Sequence, residues 1–285
     1  MSGILFVVAT PIGNLDDLSG RALRVLREAA VIAAEDTRRT AKLLSHYGIT
    51  TPTTSLHEHN EERKSQALVA RVSHGETVAL VSDAGTPGIS DPGRRLVLAA
   101  QEAGLTVTPI PGPSAVVTAL SASGMSADNF VFLGFPPTRS KDRNEWLETL
   151  ATARRTVVFF EAPHRIRATL EAIRLRVGDV RLFLARELTK MHETLVIGPI
   201  SKVIEQLGEP VGEYTGVVEI GQITEQSKPE PPSDHELVIE FGLLTEHSKS
   251  SRRRVLAEMG RRHGLSPNAI YRAIERAKKL AIQPK

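Results

Sequence analysis

Cysteine is absent from all 285 residues. That excludes a disulfide framework, thiolate nucleophiles and thiolate metal sites. Aromatic residues make up only 4% of the chain, so the core must be mainly aliphatic. No apolar run reaches the roughly 18 residues that a membrane-crossing helix needs. The start, Met1 to Val8, has no basic segment ahead of its apolar run and does not read as a signal peptide. The default expectation is a cytoplasmic protein with no membrane partner. His57 and His59 stand two apart with Glu58 and Glu61 nearby. This spacing fits structural or substrate contacts better than a metal site, and no other set has clear metal-ligand spacing. Repeats and low-complexity tracts are also missing.

Three familiar nucleotide and nucleophile signatures are missing too. The first turn, Ala9 to Asn14, lacks the Gly-x-Gly-x-x-Gly of dinucleotide folds, which argues against NAD or FAD. The glycine-rich stretch Ser82 to Gly93 has no Lys after its glycines, so it is not a Walker loop. Ser114 follows a strand and opens a helix, but no Gly-x-Ser-x-Gly elbow surrounds it. Its hydroxyl and the helix N-terminal amides suit a polar ligand group better than nucleophilic attack.

What is present is an alternation of strands and helices. The length of 285 residues is enough for one large or two medium domains, and 41% hydrophobic residues support a substantial core. Strands are expected at Ile4–Ala9, Val31–Ala34, Thr53–Leu56, Val78–Val81 and Val107–Ile110. A second series is expected at Phe130–Phe135, Thr156–Phe160, Arg181–Ala185 and Tyr214–Ile220, with Leu195–Ile197 as a hairpin partner. Helices fall between them. Asp17 is expected to cap the first, Asn60 the third, and Pro92 suits the start of the fourth. The pattern predicts mostly parallel sheets covered by helices. The expected organisation is an α/β domain over 1–122, a second over 123–225, a Pro-rich linker over 226–234 and a basic helical tail over 235–285. In the tail, Ser266 caps a last helix that has Pro267 at its first position. A helix over Arg252–His263 and a turn at Gly264 complete a helix-turn-helix-like pair.

Ser82–Gly93 is the stretch on which the rest is organised. It leaves the carboxyl end of a buried strand, where open α/β sheets bind ligands. Its glycines admit close backbone approach, and Asp83 and Asp91 can accept hydrogen bonds from a ribose or a cation. Charge adds a second clue. Residues 249–285 hold 11 Lys and Arg against 2 Asp and Glu, a net of +9. The remainder of the chain is net −6. A basic tail on an acidic body points to a polyanionic partner.

Several segments in order carry a resemblance. They are Ala9–Leu15, Ala34–Arg38, His59–Glu61, Ser82–Gly93 and Pro111–Ala115. They continue through Gly134–Pro137, Glu161–Arg165, Ala185–Lys190 and Gly212–Tyr214. Together they resemble the tetrapyrrole methylase superfamily. Within it they are most similar to the branch that methylates the 2′-hydroxyl of a cytidine in small-subunit ribosomal RNA. The first turn lacks the Gly-rich segment of the corrin and porphyrin branch, which favours the RNA branch. The resemblance implies two α/β domains, S-adenosylmethionine in the cleft between them, and a homodimer. It carries cofactor contacts onto Pro11, Asp83, Ala84, Gly85, Ser114 and Ala115, and onto Phe160, Tyr214 and Thr215. A ribose hydroxyl is a weak nucleophile, so a base or nearby cation helps. Glu187 and Lys190 are the candidates, with Glu161 and Asp36 as rivals. Pairing of Glu187 with Arg186 or Arg165, which would only shape the cleft, stays open. Arg38, Arg39, Arg139, Arg165 and Arg186 suit phosphates of ribosomal RNA or the small subunit. Two other readings remain: a sister methylase acting on a tetrapyrrole or a protein, and a non-enzymatic nucleic-acid-binding regulator.

Overall fold

The structure is a computed structural model. It describes residues 3–209, 211–221 and 266–281, together with positions 234, 237, 238, 241, 252, 255, 256, 259 and 260. The chain forms two compact units, 1–222 and 223–285.

The first unit holds two five-stranded sheets. One contains β1 (Ile4–Val8), β2 (Val31–Ala34), β3 (Thr53–Ser55), β4 (Val78–Val81) and β5 (Thr106–Ile110). Its order is β3-β2-β4-β1-β5, and every pairing is parallel. Helices α1 (Gly20–Glu28) and α2 (Thr37–His46) cover one face; α3 (Glu61–Ser73) and α4 (Arg94–Glu102) cover the other. Along β2, Ile32 and Ala34 face α1 and α2, while Val31 and Ala33 face α3 and α4. A strand buried on both faces has no polar side, which is why Val31–Ala34 and Val78–Val81 are continuous apolar runs.

Helix starts differ from the sequence expectations in three places. Asp17 belongs to a short 3₁₀ turn, Leu15–Asp17, and Ser19 caps α1 by accepting the Ala22 N–H at 3.1 Å. Asn60 sits before α3 but its amide oxygen turns back to accept the His57 N–H at 2.9 Å. Pro92 stands one residue before Gly93, which precedes α4. The amides of Gly93 and Arg95 instead donate to the buried Glu61 carboxylate, both at 2.9 Å. A side chain from α3 thus caps α4, a contact with no local sequence signature.

The second sheet contains β6 (Phe130–Phe132), β7 (Thr156–Glu161), β8 (Arg181–Arg186), β9 (Thr194–Pro199) and β10 (Tyr214–Glu219). Its order is β6-β7-β10-β8-β9. Only β6 and β7 run parallel; the other three pairings are antiparallel. The expectation of mostly parallel sheets therefore holds for the first sheet and fails for the second. The short connection from β8 to β9 permits only an antiparallel pair. The last strand then inserts between β7 and β8, a non-local choice that no periodicity records.

One face of this sheet is covered by α6 (Ser140–Thr152), α7 (Ile166–Val177) and α8 (Ile200–Gln206). The other is covered by α5 (Ala115–Ser123), whose Val116, Ala119 and Leu120 pack on Val158, Phe183, Ala185 and Val217. Helix α5 leaves the carboxyl end of the first sheet and buries its side chains on the second.

The unit 223–285 contains α9 (Pro267–Ala281). Ser266 caps it as expected, accepting the Ala269 N–H at 3.1 Å. Ile270, Ala273 and Ile274 pack with Leu237, Val255 and Met259. Arg276 pairs with Asp234 at 2.8 Å. The turn at Gly264 lies outside the described residues, as does most of the Pro-rich linker.

Gly216 on β10 faces Phe159 on β7, and an added Cβ would run into the Phe159 ring. Gly216→Ala is therefore expected to cost about 1–3 kcal/mol through overpacking. A lowered denaturant midpoint with an unchanged slope is the expected readout.

Candidate active site

A cavity of about 350 Å³ opens where the carboxyl end of the first sheet meets the second sheet. The loop after β4 supplies Ala84, Gly85, Thr86, Ile89, Ser90 and Asp91. The start of α5 supplies Ser114, Ala115 and Val116. The second sheet supplies Phe160, Glu161 and Ala162 at the end of β7 and Glu213, Tyr214 and Thr215 at the start of β10, with Ile12, Phe135 and Leu188 closing the wall.

Backbone hydrogen bonds set this shape. The Thr10 N–H donates to the Gly85 carbonyl at 2.9 Å, and the Gly85 N–H returns to Thr10 at 3.0 Å. Gly85 has φ +78°, a conformation that side-chain-bearing residues avoid. The Thr86 hydroxyl donates to the Pro113 carbonyl at 3.2 Å. Three turns from three strands are thereby stitched into one rim. Ser114 makes no side-chain capping bond to α5, which leaves its hydroxyl and the first amides of the helix to a ligand. Opposite, Phe160 packs edge-on against Phe132 with ring centres 4.9 Å apart, and lies 5.4 Å from Phe135. The wall is polar on one side and aromatic on the other.

Of the nine expected cofactor contacts, Ala84, Gly85, Ser114, Ala115, Phe160, Tyr214 and Thr215 line the cavity. Pro11 and Asp83 are not among its lining residues. Asp83 accepts the Asp36 N–H at 2.9 Å and pairs with Arg39 at 3.3 Å, so it ties the ends of β2 and β4 together. Asp36 is itself held well below the usual carboxylate range by hydrogen bonds from the Arg38 side chain and backbone. Asp91, read from the sequence as an acceptor for a ribose or a cation, lines the cavity too, and Ile12, Phe135, Leu188 and Glu213 line it without having been expected as contacts. Burial, reinforced by the nearby Glu35 and Asp83 carboxylates, pushes Asp91 up to about 7. Burial likewise raises Glu35.

Glu161 is fully buried, and its carboxylate is saturated. It accepts from Arg165 at 2.6 and 2.7 Å and from the Thr169 hydroxyl at 2.6 Å. Arg165 also donates to the Pro136 carbonyl at 2.6 Å. The expected phosphate contact at Arg165 is thus a half-buried brace on a buried carboxylate. Arg186 is half-buried, with one guanidinium nitrogen 3.5 Å from the Glu209 carbonyl. Arg38, Arg39 and Arg139 are exposed.

Glu187 and Lys190 do not line the cavity. They bond to each other at 2.8 Å, and Lys190 also reaches Glu213 at 3.0 Å. Glu187 has φ +55° and Thr189 φ +65°. The turn is held in that strained form because the Glu187 N–H donates to the Glu213 carbonyl at 3.0 Å and the Glu213 N–H donates to Glu187 Oε1 at 2.9 Å. Burial opposes ionisation of Glu187, but the Lys190 ammonium and the Glu213 N–H outweigh it and hold the carboxyl low. Burial opposes the Lys190 charge too, and the two carboxylates outweigh it and raise that ammonium.

Arg165→Ala would leave the Glu161 carboxylate buried without its cation. Such a loss costs about 3–5 kcal/mol, and Arg165→Lys, which keeps the charge but not the fork, is expected to cost less. Chemical denaturation of the two variants measures the difference.

Comparison with known proteins gives a consistent picture. Residues 5–204 match the family model of Tetrapyrrole (Corrin/Porphyrin) Methylases. A Synechocystis protein called ribosomal RNA small subunit methyltransferase I is 49% identical over 76% of this chain and 78% of its own length. Its Escherichia coli O157:H7 namesake is 45% identical over 80% of this chain and 81% of its own. Among solved structures, a diphthine synthase matches with TM-score 0.59 at 16% identity, over 76% of this chain and 90% of that one. The uroporphyrin-III-C-methyltransferase of Thermus thermophilus matches with TM-score 0.54 at 21% identity, over 79% and 98%. These structures share the two-sheet fold, and with a family model spanning most of the described strands the chain belongs to the tetrapyrrole methylase family.

Proposed function

We propose that this protein transfers a methyl group from S-adenosylmethionine to a ribose 2′-hydroxyl of a cytidine in small-subunit ribosomal RNA. The observation that carries the reading is the cavity itself, together with relatives of 45–49% identity whose name specifies small-subunit ribosomal RNA methylation. The residues fit the cofactor. The backbone at Ala84 and Gly85, with no side chain at Gly85, suits close approach of a nucleoside. Ser114 and the α5 amides suit a carboxylate. Phe160, Tyr214 and Thr215 supply an apolar wall with polar edges. When bound there, the cofactor supplies an electrophilic methyl on a sulfonium. The chain's own part is to hold the acceptor hydroxyl in line with it, which accounts for much of the acceleration in such displacements.

Glu187 and Lys190 support this as positioning residues. They fix Glu213 and hence the start of β10, where Tyr214 and Thr215 enter the wall. A Lys190 ammonium held by two carboxylates is a poor proton acceptor. The exposed Arg38, Arg39 and Arg139 are read as phosphate contacts, and the net +9 of residues 249–285 as a second RNA grip. A homodimer is proposed from the family resemblance. Among the described residues no helix is long and apolar enough to cross a membrane. The proposed setting is the cytoplasm.

The reading is tested by incubating the protein with methyl-labelled S-adenosylmethionine and either ribosomal RNA or small-subunit particles, then mapping the label. Label on a cytidine 2′-oxygen is expected; label elsewhere, or none, refutes it. In the same assay, Glu187→Gln and Lys190→Met are expected to lower turnover more than cofactor affinity, with the midpoint of the pH–rate profile unchanged.

A further inference from the structure

Three carboxylates line the cavity: Asp91, Glu161 and Glu213. Two have cations. Glu161 takes Arg165, and Glu213 takes Lys190. Among the described residues no cation pairs with Asp91. It is half-buried, in a loop whose neighbouring Gly85 is bonded on both sides to Thr10. The groups that face it are the Ser82 hydroxyl and the Glu35 and Asp83 carboxylates. Glu35 follows β2 directly and accepts the Asp83 N–H at 3.3 Å. Asp83 has its charge met by Arg39 of α2, and Asp36 beside them by Arg38. The cations of this cluster are thus engaged by Asp36 and Asp83 and do not line the cavity, and Asp91 is left as the carboxyl on this wall with no bonded cation among the described residues.

We infer that Asp91 is the catalytic residue that takes the proton from the hydroxyl being methylated. The inference rests on the reading of the chain as a ribose methyltransferase. In the step, a lone pair of the hydroxyl oxygen forms the bond to the methyl carbon. The carbon–sulfur bonding pair stays on sulfur, and the hydroxyl proton passes to an Asp91 carboxylate oxygen and then to water. A carboxyl that titrates close to neutrality is suited to both halves of this exchange: it is ionised often enough to accept the proton and basic enough to hold it. Glu161 and Glu213, already bonded to cations, lack that freedom.

The test uses the full-length protein. Single-turnover methyl transfer to small-subunit particles is followed from about pH 5 to about pH 9 at saturating S-adenosylmethionine, for wild type, Asp91→Asn and Asp91→Glu. Wild type is expected to gain rate through a midpoint near 7 and then level off. Asp91→Asn should be slower by about a hundredfold or more and lack that rising limb, and Asp91→Glu should retain it. Independently of activity, ¹³C NMR of carboxyl-labelled aspartate in the free protein should show one resonance titrating near neutrality that disappears in Asp91→Asn. Retention of the rising limb in Asp91→Asn overturns the inference. So does an Asp91 resonance titrating at the usual aspartate value of about 4, or a rate defect abolished by more S-adenosylmethionine. If wild type transfers no methyl to RNA at all, the proposed function falls first, whatever the NMR titration shows.

Discussion

Burial of α5 on the second sheet is the contact on which the site depends. The helix is joined to β5 by only four residues, so its N-terminus belongs to the carboxyl edge of the first sheet. Its side chains belong to the second sheet, where Val116, Ala119 and Leu120 meet Val158, Phe183 and Val217. Because a close-packed apolar interface tolerates little sliding, this one helix fixes how the two sheets face each other. The cavity is the space left at their meeting edge. Ser114 and Ala115 reach it from one side of α5, and Phe160 and Thr215 from the strands beneath.

Electrostatics divides that space. Toward the second sheet the carboxylates that frame the site have bonded cations: Glu161 has Arg165, and Glu187 and Glu213 share Lys190. Toward the first sheet, Glu35 and Asp91 share a partly dry corner, and the available guanidinium groups of Arg38 and Arg39 are bonded to Asp36 and Asp83 instead. Like charges in low dielectric raise one another's proton affinity. The raised carboxyls thus lie at the first-sheet wall, while those of the other wall are held in ion pairs.

Much of this was legible in the chain. The strands Val31–Ala34 and Val78–Val81 were readable to the residue, because burial on both faces requires an unbroken apolar run and polar residues follow each of them, Glu35 and Ser82. Seven of the nine cofactor positions that the resemblance implied do line one cavity. Three kinds of feature were not legible. Insertion of β10 between β7 and β8 is decided by packing across more than fifty residues. The capping of α4 by Glu61 joins positions more than thirty apart, while the nearby Pro92 offers a misleading local cue. The third is charge partnering. Glu187 and Lys190 look reactive in sequence, yet the positive φ of Glu187 turns the pair toward Glu213 and away from the cavity. Asp91 could be read from the sequence as an acceptor for a ribose or a cation, but only the folded loop sets it beside Glu35.

The place of β10 has a consequence for synthesis. It is the last strand of its unit to be made and the central strand of its sheet, paired on both sides by β7 and β8. At translation speeds of about 5–20 residues per second, β7 precedes it out of the ribosome by several seconds. During that interval β7 and β8 each hold an open edge, and α5 has an incomplete surface to cover. The first sheet, whose strands are all complete by Ile110, has no such wait. A nascent chain therefore carries a finished parallel sheet and an unfinished partner with exposed ladder groups, which are ready templates for wrong pairing. Holdase chaperones that shield extended apolar segments are expected to matter most for chains stalled between Glu161 and Tyr214.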